Sequence, residues 1–153
     1  MLVKKTPSSR DAWKKFLPVQ TRWEDNDAYG HVNNVVYYSY FDSSVNRHLI
    51  SDGGLDLEKS PVIGLCVDSG CSYFSPVGYP QELEAGLRVA HLGRSSVRYE
   101  VGIFVAGAAQ SSAEGHFVHV FVDRATRKPV EIPAAIRACL VRLQVQVASE
   151  AAH

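Results

Sequence analysis

The chain has 153 residues, of which 46% are hydrophobic and 21% are charged, a composition typical of one soluble globular domain. Sixteen basic and sixteen acidic residues give a formal net charge of zero, which argues against the broad basic surface of nucleic-acid-binding proteins. The sequence also lacks the run of about 18 apolar residues that a membrane helix needs, and its first residues lack the apolar core of a signal peptide, so we expect a cytoplasmic protein without nucleic-acid or membrane partners.

The first third of the chain predicts a strand, a polar loop and a long helix. Residues 16–23, FLPVQTRW, predict a first strand, because from residue 19 onward Val, Thr and Trp alternate with Gln and Arg as in a half-buried strand. Residues 24–34, EDNDAYGHVNN, are too polar and too rich in glycine and asparagine for a strand interior, and they predict a loop. A helix of about four turns is expected to begin near Asn33 or Asn34 and to end before Asp52.

This helix needs a packing partner. Its tyrosines and valines have only modest helix propensity, so an apolar stripe must hold it against something large. That stripe contains Tyr37, Phe41, Val45, His48 and Leu49. A sheet is the obvious partner.

The remaining sequence supplies the sheet as four strand-like runs separated by turn residues. The runs cover residues 61–77, 82–92, 95–105 and 113–123. A short amphipathic segment with Pro133 near its first turn follows. The order predicts an α+β domain in which one long helix lies on one face of an antiparallel sheet of about five strands.

We assign residues 16–147 to this single domain and expect residues 1–15 and 149–153 to be loosely ordered. The three cysteines are Cys66, Cys71 and Cys139, and they lack the spacing of a disulfide framework or a zinc site. We interpret them as buried or half-buried thiols, with Cys66 and Cys71 on opposite faces if their strand is regular. Neither a metal nor a redox cofactor is expected.

Three segments, in order, resemble hotdog-fold acyl-CoA thioesterases of the 4-hydroxybenzoyl-CoA thioesterase-like family. They are RWEDNDAYGHVNNVVYYSYFDSSVNRHL at residues 22–49, HLGRSSVRYEVGIF at 91–104 and VDRATRKPVEIP at 122–133. The resemblance implies a sheet wrapped around the long helix and thioester hydrolysis. It also implies a homodimer that joins two sheets edge to edge, often as a dimer of dimers (a homotetramer), with active sites at the dimer interface.

Thioester hydrolysis needs a group that delivers a nucleophile and donors that stabilise an oxyanion. A carboxylate can attack the carbonyl or act as general base on water, and the loop offers Glu24, Asp25 and Asp27. The resemblance assigns catalysis to Asp27, whereas we interpret Asp25 as structural and Glu24 as solvated. Asp42 matches a rival hotdog architecture with its acid on the helix, but the acidic-loop motif argues against it.

The oxyanion donor is expected to be a backbone N–H at the start of the helix, where amides are unsatisfied and the helix dipole favours negative charge. The family pattern places it at Asn34, although Asn33 and Asn34 are equally ordinary helix caps. Gly30 is expected to permit a tight backbone path before the helix. We also place Gly30 and Asn33 among the residues expected to bind substrate. His31 either orients a water or the thioester, or is a structural residue bonded to the backbone.

The resemblance places the turn of Arg94, Ser95 and Ser96 beside the pantetheine path. Other cations that could receive the phosphates of coenzyme A, or be solvated surface charges, are Arg88, Arg98, Arg127 and Lys128. Six aromatic residues could either line an acyl tunnel or belong to the core. They are Tyr37, Tyr38, Tyr40, Phe41, Tyr73 and Phe74. The AYGHVNN and YYSYF segments resemble family members that act on fatty acyl-CoA more than those that act on hydroxybenzoyl-CoA, and this resemblance implies a fatty acyl-CoA substrate.

Two other functions remain open. A hotdog hydratase or dehydratase expects a loop of the Asp-x-Asn-Pro-x-His kind, but Asp27 follows Asn26 where that loop has proline. A non-catalytic protein that binds acyl-CoA or an acyl carrier protein would not need the Asp27 carboxylate. The sequence therefore predicts an acyl-CoA thioesterase that takes coenzyme A as part of its substrate and uses no cofactor.

Overall fold

A computed structural model of the chain describes residues 4–146. Its strands and helices are, in chain order, β1 (Lys15–Gln20), α1 (Val36–Gly53), β2 (Val62–Tyr73), β3 (Glu82–Leu92), β4 (Ser96–Val105), β5 (Ala113–Asp123) and α2 (Ala134–Val141). Short 3-10 turns also form at Arg10–Ala12 and Trp23–Asp25. Within the described part of the chain, no helix combines the length and the apolar character needed to cross a membrane.

The five strands form one antiparallel sheet in the order β1-β3-β4-β5-β2. Strands β3, β4 and β5 are consecutive neighbours, while β1 and β2 form the two edges. The helix α1 lies against the inner face of this sheet and buries its apolar stripe there. The predicted α+β hotdog fold is confirmed.

Burial of one side of α1 holds the helix in place. All five residues of the predicted stripe are buried, together with Tyr40 and Ser44. The ring of Phe41 packs where β5 carries Gly115, and a Cβ atom at Gly115 would also lie 2.6 Å from the Gly70 carbonyl oxygen. The helix can approach the sheet this closely because glycine occupies that position.

Both ends of α1 differ from the prediction. The helix begins at Val36, because Asn33 forms a turn in which its Oδ1 accepts a hydrogen bond from the N–H of Val35 at 3.2 Å. At the other end, the helix includes Asp52 and runs to Gly53, and Gly54 ends it with a left-handed φ of 69°. Such a C-terminal glycine is a common helix stop.

Two strands, β1 and β2, end earlier in the structure than the sequence predicts. β1 ends at Gln20, since Trp23–Asp25 forms a 3-10 turn instead. β2 ends at Tyr73, and the chain then turns through Pro76, which has no N–H to donate to a strand ladder. The shorter strands leave a longer loop at each of these two places.

The N-terminal arm departs from the prediction of a loose segment over residues 1–15. Ser8 donates hydrogen bonds from its backbone N and its Oγ to Glu114 Oε2, at 2.9 and 2.6 Å. Trp13 is only 6% exposed. The arm is therefore packed from Ser8 onward, whereas residues 1–3 and 149–153 lie outside the described residues.

Trp13 packs on the outer face of the sheet because two glycines leave room for its indole. Gly86 on β3 pairs directly with Gly102 on β4, and Cβ atoms there would lie 2.9 and 2.6 Å from the indole ring. The guanidinium of Arg88 stacks over the same ring at 4.1 Å. The contact joins the N-terminal arm to two strands much further along the chain, so local sequence patterns do not reveal it.

A bulge in β2 corrects the predicted directions of its cysteines. The register shifts between Cys66 and Asp68, so that Cys66 pairs with His119 and Cys71 with Gly115. His119 and Gly115 are two of the alternating buried residues of β5, and directly paired residues share a face. Cys66 and Cys71 therefore point to the same side. Cys66 is exposed rather than buried, Cys71 is half-buried and Cys139 is buried.

Candidate active site

Asp25 organises the polar loop before α1. Its side chain is 1% exposed and accepts hydrogen bonds from the backbone N of Arg22 at 2.9 Å and from the hydroxyl of Tyr40 at 2.8 Å. The Arg22 guanidinium lies 3.1 Å from Asp25 Oδ1. The backbone oxygen of Asp25 accepts from the N–H of Asn33 at 2.9 Å. The residue thus ties both ends of the loop to the helix.

Burial by itself would raise the pKa of the Asp25 carboxyl, but the hydrogen bonds from Tyr40 and Arg22 and the charge of Arg22 outweigh it, so this pKa is lowered. Burial and the bond to Asp25 raise the pKa of Tyr40. The pair is therefore a carboxylate with a neutral phenol at neutral pH. These contacts agree with the structural interpretation of Asp25, and the exposure of Glu24 agrees with the prediction that it is solvated.

Asp27 forms a tight turn and keeps one carboxylate oxygen free. Its Oδ1 accepts from the N–H of Tyr29 at 2.9 Å, and its backbone N donates to the carbonyl of His31 at 2.8 Å. Gly30 completes the turn with a left-handed φ of 82°. Within residues 4–146, Asp27 Oδ2 makes no hydrogen bond. One oxygen thus shapes the loop and the other is available to a ligand.

A cavity of about 390 Å³ opens beside this turn. One wall comes from the loop and the first turn of α1, with Asp27, His31, Asn34 and Tyr37. The other wall follows β2 and includes Tyr73, Phe74, Ser75 and Pro76. The structure therefore brings all three predicted catalytic residues and Tyr37 to one cavity.

The backbone of Asn34 offers a hydrogen-bond donor at this cavity. Its N–H has no hydrogen-bond partner among the residues that the structure describes. Its carbonyl oxygen accepts from the hydroxyl of Tyr73 at 3.0 Å, which links the start of α1 to the end of β2. An unpaired amide just before the first turn of a helix lies at the positive end of the helix dipole. This geometry suits the stabilisation of an oxyanion.

Two tyrosines give the cavity an aromatic wall. Tyr37 is buried, and its ring meets that of Tyr73 edge-on with centroids 5.1 Å apart. Burial raises the pKa of Tyr37 to about 12, and burial is also the main cause of the raised pKa of Tyr73. Both phenols are therefore neutral at physiological pH and present largely apolar rings to a ligand.

The other loop residues have different positions. The imidazole of His31 is exposed at the cavity wall and makes no hydrogen bond to the part of the chain described here. Gly30 and Asn33, predicted to bind substrate, are not among the cavity walls and shape the backbone instead. Asp42 lies on the exposed side of α1, where its Oδ1 accepts from Asn46 at 2.9 Å, outside the cavity.

Arg94, Ser95 and Ser96 lie at the opposite end of the sheet within one protomer. The cavity loop contacts residues 77–79, just before β3 begins, whereas the three residues follow its end at Leu92. The 11 residues of β3 span about 35 Å. Within one chain, the structure therefore does not bring these three predicted substrate-binding residues to the cavity that contains Asp27.

Arg88 is also not available as a phosphate ligand. Its Nε donates to Glu100 at 2.8 Å and its Nη1 donates to the carbonyl of Ala12 at 3.0 Å.

Sequence reasoning also missed the wall of Ser75 and Pro76, which it placed inside a strand, although Pro76 was a signal against that assignment. No three His, Cys, Asp or Glu side chains between residues 4 and 146 cluster closely enough to hold a metal ion.

Comparisons with known proteins agree with this geometry. Residues 21–140 match the sequence profile of the thioesterase-like superfamily. The PA5185 protein from Pseudomonas aeruginosa strain PAO1 is 51% identical, with a TM-score of 0.91 over 94% of this chain and 100% of that chain. A 1,4-dihydroxy-2-naphthoyl-CoA thioesterase from Synechocystis has a similar fold at 18% identity, with a TM-score of 0.74 over 82% of this chain and 94% of that one. No functionally curated protein matches the chain.

Proposed function

Because the chain belongs to the thioesterase-like superfamily and is therefore a thioester hydrolase, we propose that it cleaves acyl-CoA thioesters into a free carboxylic acid and coenzyme A. One observation carries this proposal: Asp27 and Asn34 line the same cavity, and one carboxylate oxygen of Asp27 and the N–H of Asn34 have no hydrogen-bond partner among residues 4–146. A nucleophile or base and an oxyanion donor are the two elements that the reaction needs.

The thioester carbonyl oxygen accepts a hydrogen bond from the Asn34 N–H, which polarises the carbonyl carbon. Asp27 then acts by one of two routes. It attacks that carbon, coenzyme A leaves as a thiolate, and water hydrolyses the resulting mixed anhydride to release the acid. Alternatively, Asp27 takes a proton from a water molecule that attacks the carbon, and the thiolate leaves and is protonated. Both routes consume one water and need no cofactor.

His31 lies on the same cavity wall with a free imidazole, so it is placed to orient the attacking water or the thioester. The aromatic rings of Tyr37 and Tyr73 with Phe74 offer an apolar surface to the acyl group. We assign fatty acyl chains as the preferred substrates on this basis, since their burial against aromatic rings is favourable.

The active enzyme is proposed to be a homodimer joined through β2. This strand is an edge of the sheet, and its bulged residue Val67 is 60% exposed. An unpaired edge of this length is a template for pairing with a second strand. Antiparallel pairing of two copies sets the Tyr73 end of one β2 beside the Val62 end of the other.

This pairing brings the missing residues toward the cavity. The Val62 end of β2 pairs with Asp123, and the nearby Phe121 and Ile132 donate backbone hydrogen bonds to Ser95 and Arg94. In the dimer, the partner subunit's Arg94, Ser95 and Ser96 thus approach the site. Val67→Asp is expected to give monomers in sedimentation and to lower activity. Leu57→Asp, at another exposed apolar position, is the control. Sedimentation of the wild type also tests the predicted dimer of dimers.

The test of function is thiol release from a panel of acyl-CoAs, short to long and aliphatic to aromatic. Asp27→Asn is expected to lower kcat by about 10²- to 10⁴-fold, while Asp42→Asn, on the exposed face of α1, retains activity. Equal activity of Asp27→Asn and wild type would refute the role of Asp27. Binding without thiol release would indicate a carrier or sensor, and hydration of an enoyl-CoA without thiol release would indicate a hydratase.

A further inference from the structure

A second cavity adjoins the candidate active site. It has a volume of about 560 Å³ and lies between the N-terminal arm and the end of β2. Lys4 and Lys5 line it on the arm side, while Tyr73 and Phe74 line both this cavity and the one that contains Asp27. A ligand whose reactive end occupies the Asp27 cavity can therefore extend past these two aromatic residues to the lysines.

The arm is fixed at a point that sets the position of these lysines. Ser8 bonds to Glu114 through both its backbone N and its hydroxyl, and its carbonyl accepts from the N–H of Ser111. Glu114 pairs with Ser72 across β5 and β2, so the anchor lies beside the last residues of β2. The short segment from Lys4 to Pro7 then runs along the cavity mouth.

The two lysines are the uncommitted cations at this end of the molecule. Both are exposed, and neither forms an ion pair with any residue in the 4–146 range. By contrast, the Arg22 guanidinium is held by Asp25 and Glu24. Adjacent ammonium groups are suited to phosphate oxygens.

We propose that Lys4 and Lys5 bind the phosphates at the nucleotide end of coenzyme A while the thioester occupies the Asp27 cavity. This inference rests on the proposed function, since it identifies what holds the carrier part of that substrate. It makes the arm a determinant of specificity for coenzyme A over thioesters that lack phosphates.

The test compares two substrates with the same acyl group, the acyl-CoA and the acyl-pantetheine, which lacks the phosphates. The measured quantity is the ratio of their kcat/KM values, because a folding defect lowers both values and leaves the ratio unchanged. In the double variant Lys4→Ala/Lys5→Ala this ratio is expected to fall about tenfold. The Lys4→Arg/Lys5→Arg variant is expected to keep it, and added salt is expected to lower it in wild type.

The control is Lys14→Ala/Lys59→Ala, which removes the same charge from two other exposed lysines and should leave the ratio as in wild type. An unchanged ratio in Lys4→Ala/Lys5→Ala, with both substrates turned over, would overturn the lysine proposal alone. A loss confined to acyl carrier protein thioesters would overturn it in favour of a carrier-protein surface. If wild type hydrolyses neither substrate, the proposed function itself fails.

Discussion

The bond from Tyr40 to Asp25 is the clearest single contact that holds the loop before α1. Tyr40→Phe removes only the hydroxyl that donates to the carboxylate at 2.8 Å, and both side chains are buried. A buried hydrogen bond to a charged group contributes about 1.5 to 3 kcal/mol. For a domain of this size that loss corresponds to a decrease in Tm of about 4 to 10 °C.

The effect should depend on pH with a definite sign. The pKa of Asp25 is lowered in the folded state, so its contribution to stability is complete above the unfolded pKa of about 3.9 and is lost as the pH falls through the folded value. Tyr40→Phe raises the folded pKa. The stability gap between wild type and variant should therefore be widest at neutral pH and narrow once the carboxyl is protonated.

Urea unfolding at several pH values measures this gap directly, and Tyr29→Phe serves as the control because Tyr29 is highly exposed. The control should match wild type in stability at every pH. A Tyr40→Phe protein that is as stable as wild type, or that loses the same amount at all pH values, would refute the assignment of a charged hydrogen bond.

Three further predictions concern the core. Burial lowers the pKa of His119 to about 4. The stability that its neutral form provides is therefore complete above about pH 6.5 and declines by about 3 kcal/mol toward pH 4. Urea unfolding at several pH values should show this decline, and His119→Leu should flatten it. Gly102→Ala places a Cβ atom 2.6 Å from the Trp13 ring and should cost about 1 to 3 kcal/mol in thermal unfolding, whereas wild-type stability would contradict the packed arm. Gly115→Ala, whose Cβ would meet the Gly70 backbone, should lower stability at least as much as Gly102→Ala does. Thermal unfolding followed by circular dichroism measures this, and an unchanged Tm would contradict the close approach of helix and sheet.

Periodicity along the chain was enough to predict a long helix on an antiparallel sheet, whereas the hotdog assignment came from the family resemblance. The bounds of β3 and β5 match the predicted runs, and that of β4 differs by one residue. Alternation in strands and the stripe on α1 are local properties, so one sequence displays them. By contrast, Trp13 packs on Gly86 and Gly102, which lie far along the chain from it, and no local pattern records a contact between segments so widely separated.

The same distinction applies to the candidate site. Asp27, His31, Asn34 and Tyr37 lie within one short stretch, and a single turn followed by a helix brings them to one cavity. Lys4 and Lys5 reach the neighbouring cavity only because Ser8 is bonded to Glu114, more than 100 residues away in sequence. Contacts of that kind depend on the assembled sheet and were therefore missed.

The position of the arm also bears on how the protein should be produced. A purification tag fused ahead of Lys4 would emerge beside the Asp27 cavity, where it could obstruct entry and alter measured rates. The backbone N–H of Val145 donates a hydrogen bond to the carbonyl of Val89, near the far end of β3. Kinetic work is therefore best done with a tag on the C-terminal side, because Val145 lies at the opposite end of the sheet from the Asp27 cavity.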